Sequence, residues 1–372
     1  MSNNFDIDRL TADAADLLRE MIAIPSPSFS ESAVCDYICD WFSAYGIEHR
    51  RVGNNIIAEH ICNPSKPTLM MCAHIDTVSP AEGYSFDPFE PHYDVAAYEI
   101  GKMTGLEVGP DDIVAGLGSN DDGASVVAMT AAYRYFLDAT VTHPNLILVL
   151  TSEEERSGKN GMTGLWSELV SKVDLAIVGE PTCMKAATAE RGLLVIDATA
   201  HGISGHAARN EGENALYKAL EDITRLRSHN FGKVSPRMGK VNLNVTQINA
   251  GNAHNVIPDR CEFVIDIRPT EQYSNEEILA ELQEICKSEL KPRNLSNRSS
   301  ATFENSPLQK TAEAMGIETF SSPTTSDWMR ITCDAIKMGP GDSARSHKKD
   351  EFVFVEEIKK GIETYIEFIE SL

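Results

Sequence analysis

No apolar run in the chain reaches the ~20 residues that a membrane-spanning helix needs, so the sequence argues against a membrane protein. The opening stretch MSNNFDIDRL lacks a basic segment followed by an apolar one. No secretory leader is therefore expected, and the reading is of a cytoplasmic protein. Positive charge is scarce: 33 Lys and Arg stand against 56 Asp and Glu, a net charge of −23 at pH 7. Such a surface repels a phosphate backbone, which excludes nucleic-acid binding through a general field. An anionic substrate would need local Arg or Lys. The eight cysteines (35, 39, 62, 72, 183, 261, 286 and 333) form no CxxC pair. They read as reduced and mostly buried thiols rather than a disulfide framework. Cys35 and Cys39 fall one helical turn apart. Internal repeats and low-complexity segments are absent as well.

What is present is ordinary globular composition, 42% hydrophobic and 24% charged, in 372 residues. That length is more than one core comfortably supports, so two domains are expected. Ser30 to Gly46 has helical spacing, with Val34, Tyr37, Ile38, Trp41, Phe42 and Tyr45 on one face, Ser30 as the cap and Gly46 as the stop. Strands are expected at 55–59, 68–72, 146–150 and 175–178, with a helix over 124–137. This alternation predicts an α/β domain with a mostly parallel sheet covered on both faces. The middle third differs. Strand 193–199, a helix near 213–227, strands 241–248 and 261–267, and a helix over 275–290 predict a separate α+β domain of split βαβ, ferredoxin-like type. KPRNLSNRSS (291–300) reads as a return linker, and a helix over 355–370 closes the chain. The expected domains are 1–189 with 296–372, and an inserted 190–295.

Acidic and histidine residues recur just beyond the apolar strands. His74 and Asp76 follow 68–72, Glu153, Glu154 and Glu155 follow 146–150, and Glu180 follows 175–178. Asp121 and Asp122 lie in the glycine-rich GLGSNDDG. In parallel sheets ligands sit in the crevice beyond the carboxyl ends of the strands. Four such sites converging there would make a metal pocket. Asp76 is placed to orient the His74 imidazole. One of these adjacent aspartates could bridge two cations about 3.5–4 Å apart. One of the three successive glutamates could stay free as a base.

With these motifs the chain resembles the co-catalytic zinc deacylases and exopeptidases that include acetylornithine deacetylase, succinyl-diaminopimelate desuccinylase, aminoacylases and glutamate carboxypeptidases. The matching stretches are HIDTV (74–78), GLGSNDDG (116–123), TSEEE (151–155), VGEPT (178–182), GISGHA (202–207), NVIPD (255–259), DIR (266–268), TSD (325–327) and the late His347. They run in the family's order over nearly the whole chain.

The resemblance implies two zinc ions, for which cobalt or manganese could substitute. His74, Asp121 and Glu180 would bind one, and Asp121, Glu155 and His347 the other. It implies a cis peptide bond after Asp121. Glu154 would be general base and then general acid, and Asp76 would orient His74. His206 would reach the substrate carbonyl oxygen, often from the other subunit of a dimer. Asn255 and Arg268 would hold the α-carboxylate, a task that suits the fork of arginine. The inserted domain would be a lid and would build a homodimer. The substrate would be a small N-acyl amino acid, with the acetylornithine or acyl-citrulline branch of arginine biosynthesis the nearest resemblance. Succinyl-diaminopimelate and di- or tripeptides are the alternatives. The connection between Pro91 and Gly116 is longer than the family's usual hairpin, and would either shape the pocket or decorate the surface.

Overall fold

A computed structural model describes residues 6–209 and 211–372. Residues 1–5, part of the stretch read for a leader, lie outside it. The chain divides into two units. One runs to Thr188 and takes in Thr302–Phe320 and Ser326–Leu372; the other comprises Ala189–Ala301 and Ser321–Thr325. Among the described residues no helix is long and apolar enough to cross a membrane.

The first unit is organised by strands Asn145–Thr151, Thr68–His74, Leu175–Val178 and Asp334–Lys337, hydrogen-bonded in that order and all parallel. The expected strand near 55–59 forms as Asn55–His60, but it pairs antiparallel with Asn145–Thr151. The sheet is therefore parallel at its centre and antiparallel toward this edge. Side chains alternate between two cores, as a period of two requires. Leu69, Met71, Leu146, Leu148 and Leu150 join helices Ile7–Ile22, Ser32–Ala44, Gly123–Asp138 and Val355–Glu370. Met70, Cys72, Ile147 and Val149 join helix Met162–Leu169 and Trp328 on the opposite face. Burial on both faces is why these strands read as continuous apolar runs.

The second helix begins later than expected. Ser30 does not cap it, and its N–H bonds to the Pro27 carbonyl. Glu31 occupies the cap position, yet its side chain makes no capping bond. The helix ends before Gly46, whose φ of 70° only glycine adopts without cost. The long connection builds its own structure: helix Tyr93–Thr104 and strand Ile113–Ala115, which pairs with Phe352–Phe354. Ala96, Ala97, Ile100, Ile113, Phe86 and Phe352 close a small separate core there.

In the inserted unit the strands are Leu194–His201, Asn242–Ala250, Arg260–Arg268 and Glu289–Pro292, with helices Ala215–Ser228 and Asn275–Ile285. Two expectations are corrected. The second helix stops at Ile285 rather than running to 290, and the expected linker loses its first two residues to the segment Glu289–Pro292. This segment forms a fourth strand, antiparallel to Leu194–His201. The order 242–250, 260–268, 194–201, 289–292 is antiparallel throughout, which completes the split βαβ arrangement. Leu290 hides that strand in the sequence, because it continues the apolar spacing of the preceding helix.

Candidate metal centre

Three parallel strands deliver their side chains to one end of the sheet. His74 is the last residue of its strand, Glu154 and Glu155 follow Asn145–Thr151 in a short 3-10 turn, and Glu180 stands two residues beyond Leu175–Val178. Asp121 arrives from the loop before helix Gly123–Asp138, and the Asp121–Asp122 peptide is cis. Single donor atoms of His74, Glu154 and Glu180 lie within 4.8 Å of one another, as do those of His74, Asp121 and Glu155. Asp121 stands between two histidines. Its Oδ1 is 3.2 Å from His74 Nε2 and its Oδ2 is 3.7 Å from His347 Nε2. His347 also bonds Glu155 Oε1 at 2.9 Å. Its backbone φ is 58°.

The His74 tautomer follows from its partner. Nδ1 lies 2.8 Å from the Asp76 carbonyl, which can only accept, so Nδ1 carries a proton and, in the neutral imidazole, Nε2 is left with the lone pair. The expected contact to the Asp76 carboxylate is longer, 3.5 Å from Nδ1. That carboxylate has other work. Oδ1 accepts the Glu154 N–H at 3.0 Å, and Oδ2 accepts the Glu155 N–H at 3.2 Å and the Ser28 hydroxyl at 2.6 Å. Asp76 thus orients His74 through its backbone and the glutamate turn through its side chain. Glu153 faces elsewhere and takes both its bonds from Asn160.

The electrostatics describe a site with too much negative charge. Burial pushes the Glu154 carboxyl well above its usual range, and Glu180, Asp327 and Glu155 add to this against the opposing effect of His74. Glu180 is raised in the same way by burial, Asp121 and Asp122, with Lys337 opposing. Burial would lower His74, but bonds to Asp121 and Asp76 outweigh it and raise it well above 6.5. His347 is raised to about 9, first by its bond to Glu155. A divalent cation relieves such repulsion by substituting its own charge. The donors are two imidazoles and several carboxylates, a set that fits two metal ions.

Further residues at the site escaped the sequence. Glu351 is 2% exposed, and its Oε1 accepts the Asn120 and Asp121 N–H groups at 3.0 and 2.9 Å. Burial, reinforced by Asp121, pushes its carboxyl to about 8. Burial likewise raises Asp122 to about 8. Asp327, in the TSD motif but without an expected role, accepts the Thr151 hydroxyl at 2.7 Å and is raised by burial to about 6. No spacing in the sequence connects residues 120 and 351. Gly118 shapes the same loop: φ is 79°, and an added Cβ would lie 2.6 Å from Thr77 Cγ2. Gly118→Ala should destabilise the protein by about 1–3 kcal/mol or more, read as a lower midpoint in thermal denaturation.

The remaining expected residues belong to the inserted unit. His206 lies in a two-residue strand whose partner is Val256–Ile257, so Asn255 adjoins it in the ladder and its carbonyl accepts the Ala207 N–H. Arg268 makes a bidentate ion pair with Asp266, at 2.8 and 3.0 Å, inside that unit.

Comparison with known proteins agrees with this architecture. Residues 188–294 match the peptidase dimerisation domain, and residues 55–174 match peptidase family M28. A succinyl-diaminopimelate desuccinylase of Xanthomonas campestris is 26% identical over 98% of this chain and 100% of its own. Among solved structures, an aminopeptidase of Bacillus cereus superposes with a TM-score of 0.75 at 17% identity, covering 98% of both chains. An M20 family metallo-carboxypeptidase of Sulfolobus solfataricus gives 0.74 at 16% identity, covering 96% of this chain and 98% of that one. With its dimerisation domain, its full-length relative and its convergent candidate metal donors, the chain is similar to the metal-dependent amidohydrolases and peptidases of the M20 family.

Proposed function

We propose that the protein hydrolyses the amide bond of a small N-acyl amino acid, releasing a carboxylic acid and a free amine. The observation that bears most weight is Asp121, with one carboxylate oxygen facing each of two histidines. On this reading His74, Asp121 and Glu180 hold one cation, and Asp121, Glu155 and His347 the other, with zinc as the ion. When bound, two such ions lower the pKa of water toward neutrality and polarise the carbonyl to be attacked. The chain's own part is proton transfer and orientation. Glu154, fixed at its N–H by Asp76, takes a proton from water and returns it to the leaving amine. His206 is assigned to the acyl oxygen, and Asn255 and Arg268 to the α-carboxylate, on the resemblance alone. To bind substrate, Arg268 must exchange the Asp266 carboxylate for that of the ligand. The dimerisation domain supports a homodimer through the inserted unit.

The acyl group separates two readings. The sequence motifs suggest an acetylated ornithine or citrulline, whereas the Xanthomonas relative acts, by its name, on succinyl-diaminopimelate. Amine release from purified, zinc-loaded protein decides between them. The panel pairs N-acetyl and N-succinyl forms of ornithine, citrulline and diaminopimelate with one dipeptide. We expect release from at least one N-acyl amino acid, abolished by a chelator. Preference for the dipeptide would replace the substrate class, and strong hydrolysis of a generic phosphate ester would overturn the reading.

A further inference from the structure

The turn bearing Glu154 and Glu155 is held by side chains from three other segments. Four consecutive N–H groups each find such an acceptor. Ser152 donates to Asn55 Oδ1 at 2.9 Å, Glu153 to Glu31 Oε1 at 3.1 Å, and Glu154 and Glu155 to the two oxygens of Asp76. Within this set Glu153 is the demanding position, since it is a left-handed non-glycine residue with φ 60°.

Glu31 is fully buried, at 0% exposure. A buried carboxylate needs strong donors, and Glu31 has three N–H groups around it. Oε1 also accepts the Phe29 N–H at 2.7 Å, and Oε2 accepts the Asn54 amide at 3.1 Å. Phe29 is a second left-handed residue, with φ 73°. The ordinary use of an acid at this point would be to cap the helix that begins at Ser32, and Glu31 makes no such bond. Its carboxylate is turned away from its own helix to tie two unfavourable backbone positions together.

We propose that Glu31 is a positioning residue of the metal centre: by holding Glu153 in its left-handed conformation it aims Glu154 and Glu155 at the cations and the substrate. The assignment rests on the reading of Glu154 and Glu155 given above. It uses contacts within the first unit only, and Glu31 itself touches no reacting atom.

The test compares Glu31→Met, which removes every acceptor at similar volume, with Glu31→Gln, which keeps one carbonyl oxygen for the Phe29 and Glu153 N–H groups. The first readout is cobalt(II) binding, followed by absorbance and calorimetry. Glu31→Met should weaken binding of one of the two ions about 10–100-fold. The second readout is turnover at saturating cobalt. There kcat should fall at least about tenfold while KM stays within about threefold, the pattern of a group acting in the transition state. Glu31→Gln should restore most of both. Asp222→Asn is the control for a merely structural acid. Asp222 is buried in the inserted unit, where it accepts the Lys287 and Ser288 N–H groups. Its loss should lower the melting temperature and leave cobalt affinity and kcat unchanged.

Normal cobalt affinity and kcat in folded Glu31→Met would overturn the proposal. If that variant does not fold, Asn54→Ala frees Oε2 without emptying the site. A several-fold loss of kcat or cobalt affinity there supports the role, and wild-type values overturn it. If wild-type protein binds cobalt but releases no amine from any substrate, the proposed function fails and cobalt affinity alone judges Glu31.

Discussion

Glu154→Gln should lower kcat by about 10²–10⁴-fold while the protein keeps its full metal content. The side chain is the right candidate for proton transfer because its environment resists charge. Burial and the neighbouring Glu180, Asp327 and Glu155 push its carboxyl well up, toward the pH at which a base must both take and return a proton. The rival role is on view in the same geometry, since a Glu154 oxygen clusters with a His74 ring nitrogen and Glu180 as a ligand would. Metal analysis separates the two. A base leaves stoichiometry unchanged when it becomes an amide, whereas a ligand loses an ion. Glu155→Gln supplies the contrast, because Glu155 contacts His347 and would hold the second cation. Loss of metal from Glu154→Gln, with metal retained in Glu155→Gln, would exchange the two assignments.

The second large effect is a stability difference that grows with pH. In chelator-treated protein, Asp122 and Glu351 have carboxyls raised to about 8 by burial, from ordinary values near 4. A raised acid stabilises the fold below its unfolded pKa, and that contribution is lost as pH rises through the folded value. His347, raised to about 9, acts in the same sense: its bond to Glu155 is fully present below pH 6.5 and lost through pH 9. Asp76 is the opposing case. Burial would raise it, but bonds from His74, Ser28 and the Glu154 N–H hold it below its ordinary value, so its contribution is lost only in acid. Metal-free protein should therefore be most stable near pH 5 and melt progressively lower toward pH 9. Added zinc or cobalt should reverse the trend, because metal binds deprotonated ligands and its affinity rises with pH. At a hundredfold excess over Kd the ion adds about 2.7 kcal/mol. Melting temperatures with and without metal at pH 5, 6.5 and 8 measure the widening gap. A gap that stays constant or narrows would show that the buried carboxyls are not what the cations neutralise.

Much of this was legible in the chain because it depends on local pattern. Continuous apolar runs marked the central strands, since both their faces are buried. The acids beyond those strands marked the crevice, since strand ends are where side chains leave the sheet. The spacing of the closing helix gave its bounds, Val355–Glu370. Other features had no local signature. The fourth strand of the inserted unit was hidden because Leu290 also suited the helix before it. The antiparallel setting of Asn55–His60 is a matter of which strand lies beside it, and no residue within the strand records that. Asp76 reads in the sequence as a partner of His74 alone, yet its carboxylate, 3.5 Å from Nδ1, also accepts from the backbone of the glutamate turn, since N–H groups left free by a tight turn donate to any carboxylate brought within reach.

The sequence by itself determined the layered α/β architecture, the inserted α+β unit and the chemical nature of the candidate metal donors. These follow from periodicity and side-chain type, which are properties of short stretches. Only the tertiary structure decided which oxygen of Asp121 faces which histidine, that Glu351 holds the loop carrying it, and that Glu31 holds the turn carrying Glu154. The last two bonds join residues 230 and 122 positions apart. They form because a buried N–H must find an acceptor, and folding alone determines which acceptor is near.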